Sequence, residues 1–144
     1  MTRKAYVSWN NALDLGFHDI DEQHRGLIQL INDLWQTLMS RQSRETHVSI
    51  VQRLEHYTIE HFAVEEQMMD EYGFPGLVAH KSSHHYFATQ VAAVRQRLEQ
   101  NQNVGLDLLR FLTDWLTYHI SVVDRQYADF IRAQETGHPG ENPE

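Results

Sequence analysis

The sequence predicts an all-α protein, an up-down-up-down antiparallel four-helix bundle preceded by an irregular N-terminal arm. Three observations predict it. Apolar residues recur three and four apart in four long runs, and no run shows the alternation of a strand. Proline and glycine are scarce, three and seven in 144 residues, and mostly punctuate those runs. The connections are short, so consecutive helices must lie antiparallel.

Residues 1–17 read as the arm, with Trp9 as an aromatic anchor. The first helix starts near Asp19, carries Leu27, Ile31, Leu34 and Leu38, and is broken by the polar cluster Ser40 to Ser43. The second runs through Ile50, Leu54, Tyr57, His61, Val64 and Met68. It stops at Tyr72-Gly73-Phe74-Pro75-Gly76, because proline cannot continue a helix and glycine tolerates the turn. The third passes through His80, His84, Phe87, Val91, Val94 and Leu98 and closes at Asn101 to Gly105. The fourth carries Leu108, Leu112, Trp115, His119, Val123, Tyr127 and Ile131. The bundle thus spans 18–133, and the proline- and glycine-bearing tail 134–144 is expected to be disordered.

Composition narrows the function. With 41% hydrophobic and 22% charged residues the chain should fold as a soluble globule. No stretch approaches the ~18 uncharged apolar residues of a membrane helix, so no membrane insertion is expected. The start MTRKAYVSW lacks the apolar run of a secretory signal, which makes cytoplasmic the expected location. A net charge of −8 without a basic patch argues against nucleic acid as a partner. With no cysteine there is no disulfide framework, thiolate nucleophile or cysteine-type metal site.

The ten histidines are the unusual feature. His24, His61, His80, His84 and His119 occupy apolar stripes, accompanied by Glu65 and Asp124. In an up-down-up-down bundle the start of the first helix, the end of the second, the start of the third and the end of the fourth share one end. All seven side chains therefore converge on one layer. An unpaired buried carboxylate costs several kcal/mol, and a bound metal removes that objection. Seven ligands exceed one tetrahedral zinc. Imidazole with carboxylate and no thiolate suits iron, and pairs offered across a bundle suit two metals. If Glu65 and Asp124 both bridge, they give four bonds and the histidines five. A bridging oxo or hydroxo group adds two, filling eleven of the twelve positions of two octahedra and leaving one open. His119 and Asp124 are five apart, about 140° on an ideal helix. Either a carboxylate reaching across or a local π-turn must reconcile them. His18, His47, His56, His85 and His138 are expected at the surface, and Glu66 is expected to support the site or lie at the surface rather than bind metal.

These residues resemble the bacterial hemerythrins over about 6–132. The matching motifs are Ile20-Asp21-Glu22-Gln23-His24, His61-Phe62-Ala63-Val64-Glu65, His80-Lys81-Ser82-Ser83-His84 followed by Phe87, and Trp115-Leu116-Thr117-Tyr118-His119 through Asp124 to Tyr127. The resemblance implies that His80, His84 and His119 bind a saturated iron, that His24 and His61 bind the iron that keeps the vacancy, and that Glu65 and Asp124 bridge. It implies reversible dioxygen binding at the vacancy, for carriage or storage rather than enzymatic turnover, in a pocket of Leu27, Phe62, Trp115, Ile120 and Val123. Two alternatives use the same site: an oxygen or redox sensor acting through a separate partner, or a di-iron peroxidase, nitric-oxide or ferroxidase activity. The expected partners are dioxygen and an unidentified oxygen-consuming client or signalling protein.

Overall fold

The computed structural model describes residues 5–136, so part of the predicted tail (137–144, with His138) and the first four residues of the arm lie outside it. The helices are α1 (His18–Met39), α2 (Arg44–Glu71), α3 (Leu77–Glu99), α4 (Gly105–Tyr118) and α5 (Arg125–Thr136). A six-residue π segment, His119–Asp124, joins α4 to α5, so the two make one long fourth rod. Each helix packs on the next and α4 packs back on α1, which closes a four-membered ring. Among the described residues there is no strand, and no helix is long and apolar enough to cross a membrane.

The ends follow from local chemistry. The Ser43 hydroxyl accepts the Thr46 amide at 3.2 Å and caps α2. At the other end of α2 the chain reverses through Gly73, whose φ of 69° lies in the left-handed region that glycine enters without strain. The Phe74 amide then reaches back to the Met69 carbonyl at 2.9 Å. Gly105 opens α4 against Leu38 of α1, and a Cβ there would sit 2.5 Å from Leu38 Cδ2, so that side chain would have to turn aside.

The core is a column of Leu27, Ile31, Leu34, Leu54, Phe87, Leu108 and Leu112, all essentially inaccessible. In α2 the buried face lies slightly round from the predicted stripe. Val51, Leu54, Thr58, His61, Phe62, Glu65 and Met69 face inward, Tyr57 and Met68 are half-buried, and Val64 is exposed. The physical reason is that α2 packs on both α1 and α3, so its covered arc is broad.

The arm is partly ordered. It contains a short 3₁₀ turn at Asn11–Leu13, with Leu13 and Leu15 fully buried. Buried Asp21 holds it down, accepting the Leu15 amide at 2.9 Å and the Gly16 amide at 3.1 Å. Burial pushes the Asp21 carboxyl upward, and those two amides oppose the push. Arg132 donates to the Leu15 carbonyl, and Arg25 lies over the Trp9 ring at 4.3 Å. At the far end the helix continues to Thr136, past residue 133, and the Tyr72 hydroxyl donates to Glu135 at 2.7 Å. Replacing Asp21 by Ala strands two amides, one at a buried residue, and should cost about 1–3 kcal/mol. A lower urea midpoint at unchanged slope is the expected reading.

Candidate metal centre

Each residue of the predicted site is placed by a helical turn. His61 and Glu65 are four apart on α2 and His80 and His84 four apart on α3, so each pair shares a face. His119 and Asp124 are five apart, and the π segment spans them from end to end. Its wider turn returns Asp124 to the side of His119, with His119 Nε2 3.1 Å from Asp124 Oδ1. Of the two reconciliations expected from the sequence, the π-turn is present. Hydroxyls support the widened backbone: Ser121 donates to the Thr117 carbonyl at 2.7 Å and Thr117 to the Thr113 carbonyl at 2.8 Å.

All seven side chains meet in one layer, each 3% exposed or less. They form two groups that share the carboxylates: Glu65, His80, His84, His119 and Asp124 in one, His24, His61, Glu65 and Asp124 in the other. Asp124 turns Oδ1 to His80 (2.8 Å) and His119 (3.1 Å), and Oδ2 to His24 (3.2 Å). Glu65 turns Oε1 to His84 (3.3 Å), and Oε2 to His24 (3.3 Å) and His61 (3.4 Å). Each carboxylate thus offers one oxygen to each group.

The inner atoms are short of partners. Among the described residues, every buried side-chain nitrogen or oxygen without a hydrogen-bond partner belongs to this layer: both nitrogens of His24, the Nε2 atoms of His80, His84 and His119, Glu65 Oε1 and both Asp124 oxygens. Unsatisfied buried polar atoms are costly and rare. Converging on common centres, these have the chemistry of metal donors. The outer ring nitrogens are held instead by neighbours. His84 Nδ1 meets Glu66 Oε2 at 2.8 Å, His61 Nδ1 meets Gln23 Oε1 at 2.6 Å, and His119 Nδ1 meets Ser83 Oγ at 3.3 Å. A carboxylate or amide oxygen can only accept, so Nδ1 of His84 and of His61 carries a proton, and Nε2 is the ring nitrogen that would face a metal.

Electrostatics agree with this geometry. Burial opposes charge on His24, but Asp124 and Glu65 outweigh it and hold its pKa at about 9. Burial likewise pushes Glu65 up, and the histidines around it bring it well below the usual carboxylate range. Burial and Glu65 raise Asp124, yet His119 and His24 prevail and bring it to about 2. His119 is lowered, chiefly by burial. Burial and the two carboxylates push Tyr127 well above its ordinary value, so its hydroxyl stays a donor, 2.6 Å from Glu65 Oε2.

The predicted pocket residues divide. Leu27 and Ile120 are fully buried and Phe62 nearly so, whereas Trp115 and Val123 are half-buried. Phe62 stacks on His84 with centroids 3.6 Å apart and planes 1° apart, and Trp115 stacks on His119 at 4.2 Å and 12°. Both plates therefore cover the three-histidine group. Of the other described histidines, His18, His56 and His85 are exposed as expected, whereas His47, also expected at the surface, is half-buried and reaches the Thr37 carbonyl. Gln23 and Ser83 were not singled out from the sequence, because their partners lie 38 and 36 positions away. Only their places beside His24 and His84 hinted at a role.

Residues 15–131 match the family described as the hemerythrin HHE cation binding domain. A bacteriohemerythrin of Stenotrophomonas maltophilia is 36% identical over 129 residues, covering 90% of this chain and 84% of the relative. One of Pseudomonas aeruginosa is 32% identical, covering 89% and 83% respectively. A crystal structure of wild-type hemerythrin superposes with a TM-score of 0.80 at 28% identity, over 87% of this chain and 97% of that one.

With its pKa at about 9, His24 is protonated at pH 7 in the metal-free protein, and a cation taking its Nε2 must displace that proton. Anaerobic ferrous uptake should therefore release protons, and affinity should rise with pH until about 9. Titration calorimetry in buffers of different ionisation enthalpy would count the protons. An affinity flat with pH would show that His24 does not exchange its proton for metal.

Proposed function

The chain belongs to the hemerythrin family, whose members bind dioxygen at non-heme iron, and we propose that it binds dioxygen reversibly for carriage or storage. The observation that carries this reading is the double sharing of Glu65 and Asp124 between a three-histidine and a two-histidine group. His80, His84 and His119 would hold one iron and His24 and His61 the other, with the carboxylates common to both. Two irons held there, together with an oxo or hydroxo group, would supply the pair of electrons that reversible dioxygen binding needs.

The chain's own residues supply the rest. The nine donor atoms divide unequally, and the two-histidine side would be the one to offer an ion fewer ligands. The Tyr127 hydroxyl fixes Glu65 from above, and Gln23 and Glu66 orient the rings of His61 and His84. Leu27, Phe62, Trp115, Ile120 and Val123 would keep the layer apolar, which denies dioxygen the protons that would drive irreversible oxidation. Five imidazoles among seven ligands favour ferrous iron over higher oxidation states, which supports a carrier rather than an oxygenase.

One observation favours a sensing role as a second reading. Arg125 follows Asp124, and its Nη2 donates to the carbonyls of Ala12 (2.9 Å) and Asp14 (3.1 Å). A shift of Asp124 would thus be passed to the arm. Amide exchange at Leu15 and Gly16 that differs between oxygenated and deoxygenated protein would favour sensing, and identical exchange would favour carriage.

Reduced, iron-loaded protein titrated with oxygen should form a coloured adduct at one dioxygen per two irons that fades under vacuum. Irreversible oxidation without a lasting adduct would move the reading to an enzyme or redox sensor. Leu27→Ala removes a fully buried side chain and should cost about 2–5 kcal/mol by urea denaturation. It should also shorten the life of the adduct, as should Trp115→Ala. Unchanged lifetimes in both would remove these residues from the pocket.

A further inference from the structure

The two groups are not backed alike. On the three-histidine side, His84 donates its Nδ1 proton to a carboxylate, Glu66, at 2.8 Å. On the two-histidine side, His61 donates to a neutral amide, Gln23, at 2.6 Å. His119 has only the Ser83 hydroxyl at 3.3 Å. Glu66 is 26% exposed, at the edge of a groove of about 380 Å³ between α2 and α3 that also reaches Phe62, Lys81 and His85. Its partner His84 is buried beneath it, pinned on its face by the Phe62 ring.

A carboxylate draws the Nδ1 proton more strongly than an amide does, so the imidazole it backs becomes the more basic and more electron-donating ligand. The three-histidine group also has the larger donor set, five residues against four. Both differences stabilise the higher charge on the same side. Building on the ligand assignment above, we propose that Glu66 is a positioning residue that acts through His84 to make the metal at His80, His84 and His119 the first of the pair to be oxidised. In that step one electron leaves the reduced pair for an external one-electron oxidant, and no bond to the protein forms or breaks. The consequence is a fixed order: the first electron would leave from the three-histidine side, and the two-histidine side would be the second to be oxidised.

The test uses the full chain, loaded with two ferrous ions and oxidised with one equivalent of ferricyanide, which leaves as ferrocyanide. In the wild type, electron–nuclear double resonance should count three imidazole nitrogens on the ferric ion. Glu66→Gln keeps the shape and removes the charge. It should shift the first oxidation about tenfold in its equilibrium with the redox buffer, about 59 mV upward for one electron. It should also yield a mixture of ferric ions with two and three nitrogens. Gln23→Glu should shift the same count toward two. In the metal-free proteins, side-chain ¹⁵N resonances of His84 should move in Glu66→Gln and stay in Gln23→Glu, with matching circular dichroism showing an intact fold. Two nitrogens in the wild type would overturn the proposal. So would an unchanged potential and count in Glu66→Gln retaining both irons, or loss of one iron as its only effect. A wild type that binds no pair of irons would instead sink the ligand assignment, and it would do so before any variant is made.

Discussion

The structure depends on one electrostatic constraint: two carboxylates and five imidazoles packed in a single dry layer of a small bundle. Neither Glu65 nor Asp124 has a water-facing escape, and taking a carboxylate out of water costs several kcal/mol unless opposite charge compensates it. The compensation comes from four helices at once. His24 arrives from α1, His61 from α2, His80 and His84 from α3, and His119 from the π segment that continues α4. No single helix could supply it, so the layer ties the ring together as well as forming the site. The hydrophobic column below carries the bulk of the burial, and the polar layer fixes the register at which the helices meet.

The same constraint explains the irregular stretch in the fourth rod. A regular helix would carry Asp124 about 140° away from His119. Six residues of π geometry remove that offset, at the cost of a stretched ladder that Thr117 and Ser121 help to satisfy. The widened segment then sits where the arm crosses it. Arg125, at its end, holds the backbone of Ala12 and Asp14, so the segment that turns Asp124 toward His119 also anchors the N-terminal segment.

Much of this was legible in the sequence because it rests on periodicity. The helices, the layer and its seven members follow from three- and four-residue spacing joined to bundle topology. The five-residue interval from His119 to Asp124 stood out because it broke that spacing, and the π-turn is its resolution. Less legible was whatever depends on rotation of one helix against another. Val64 fits the apolar stripe of α2 yet faces solvent, because packing on two neighbours sets the covered arc. Gln23 and Ser83 reach across helices to His61 and His119, contacts that leave no trace in local spacing. The arm illustrates the same limit: Trp9 stood out as an anchor, whereas the grip of Asp21 on Leu15 and Gly16 depends on how the chain folds back onto α1.

The layer balances its buried charge with its own side chains. His24 faces both Asp124 Oδ2 and Glu65 Oε2, and the proton it keeps up to about pH 9 sits between the two groups that share those carboxylates. That proton substitutes for cationic charge at the point where two metals would otherwise supply it. His119 is driven down by burial, and the Tyr127 hydroxyl donates to Glu65. The imidazoles of the layer thus offset the worst of the carboxylate burial from within the chain itself. A cation taking the Nε2 of His24 would have to displace a proton, and the side chains that would meet it already face a common centre.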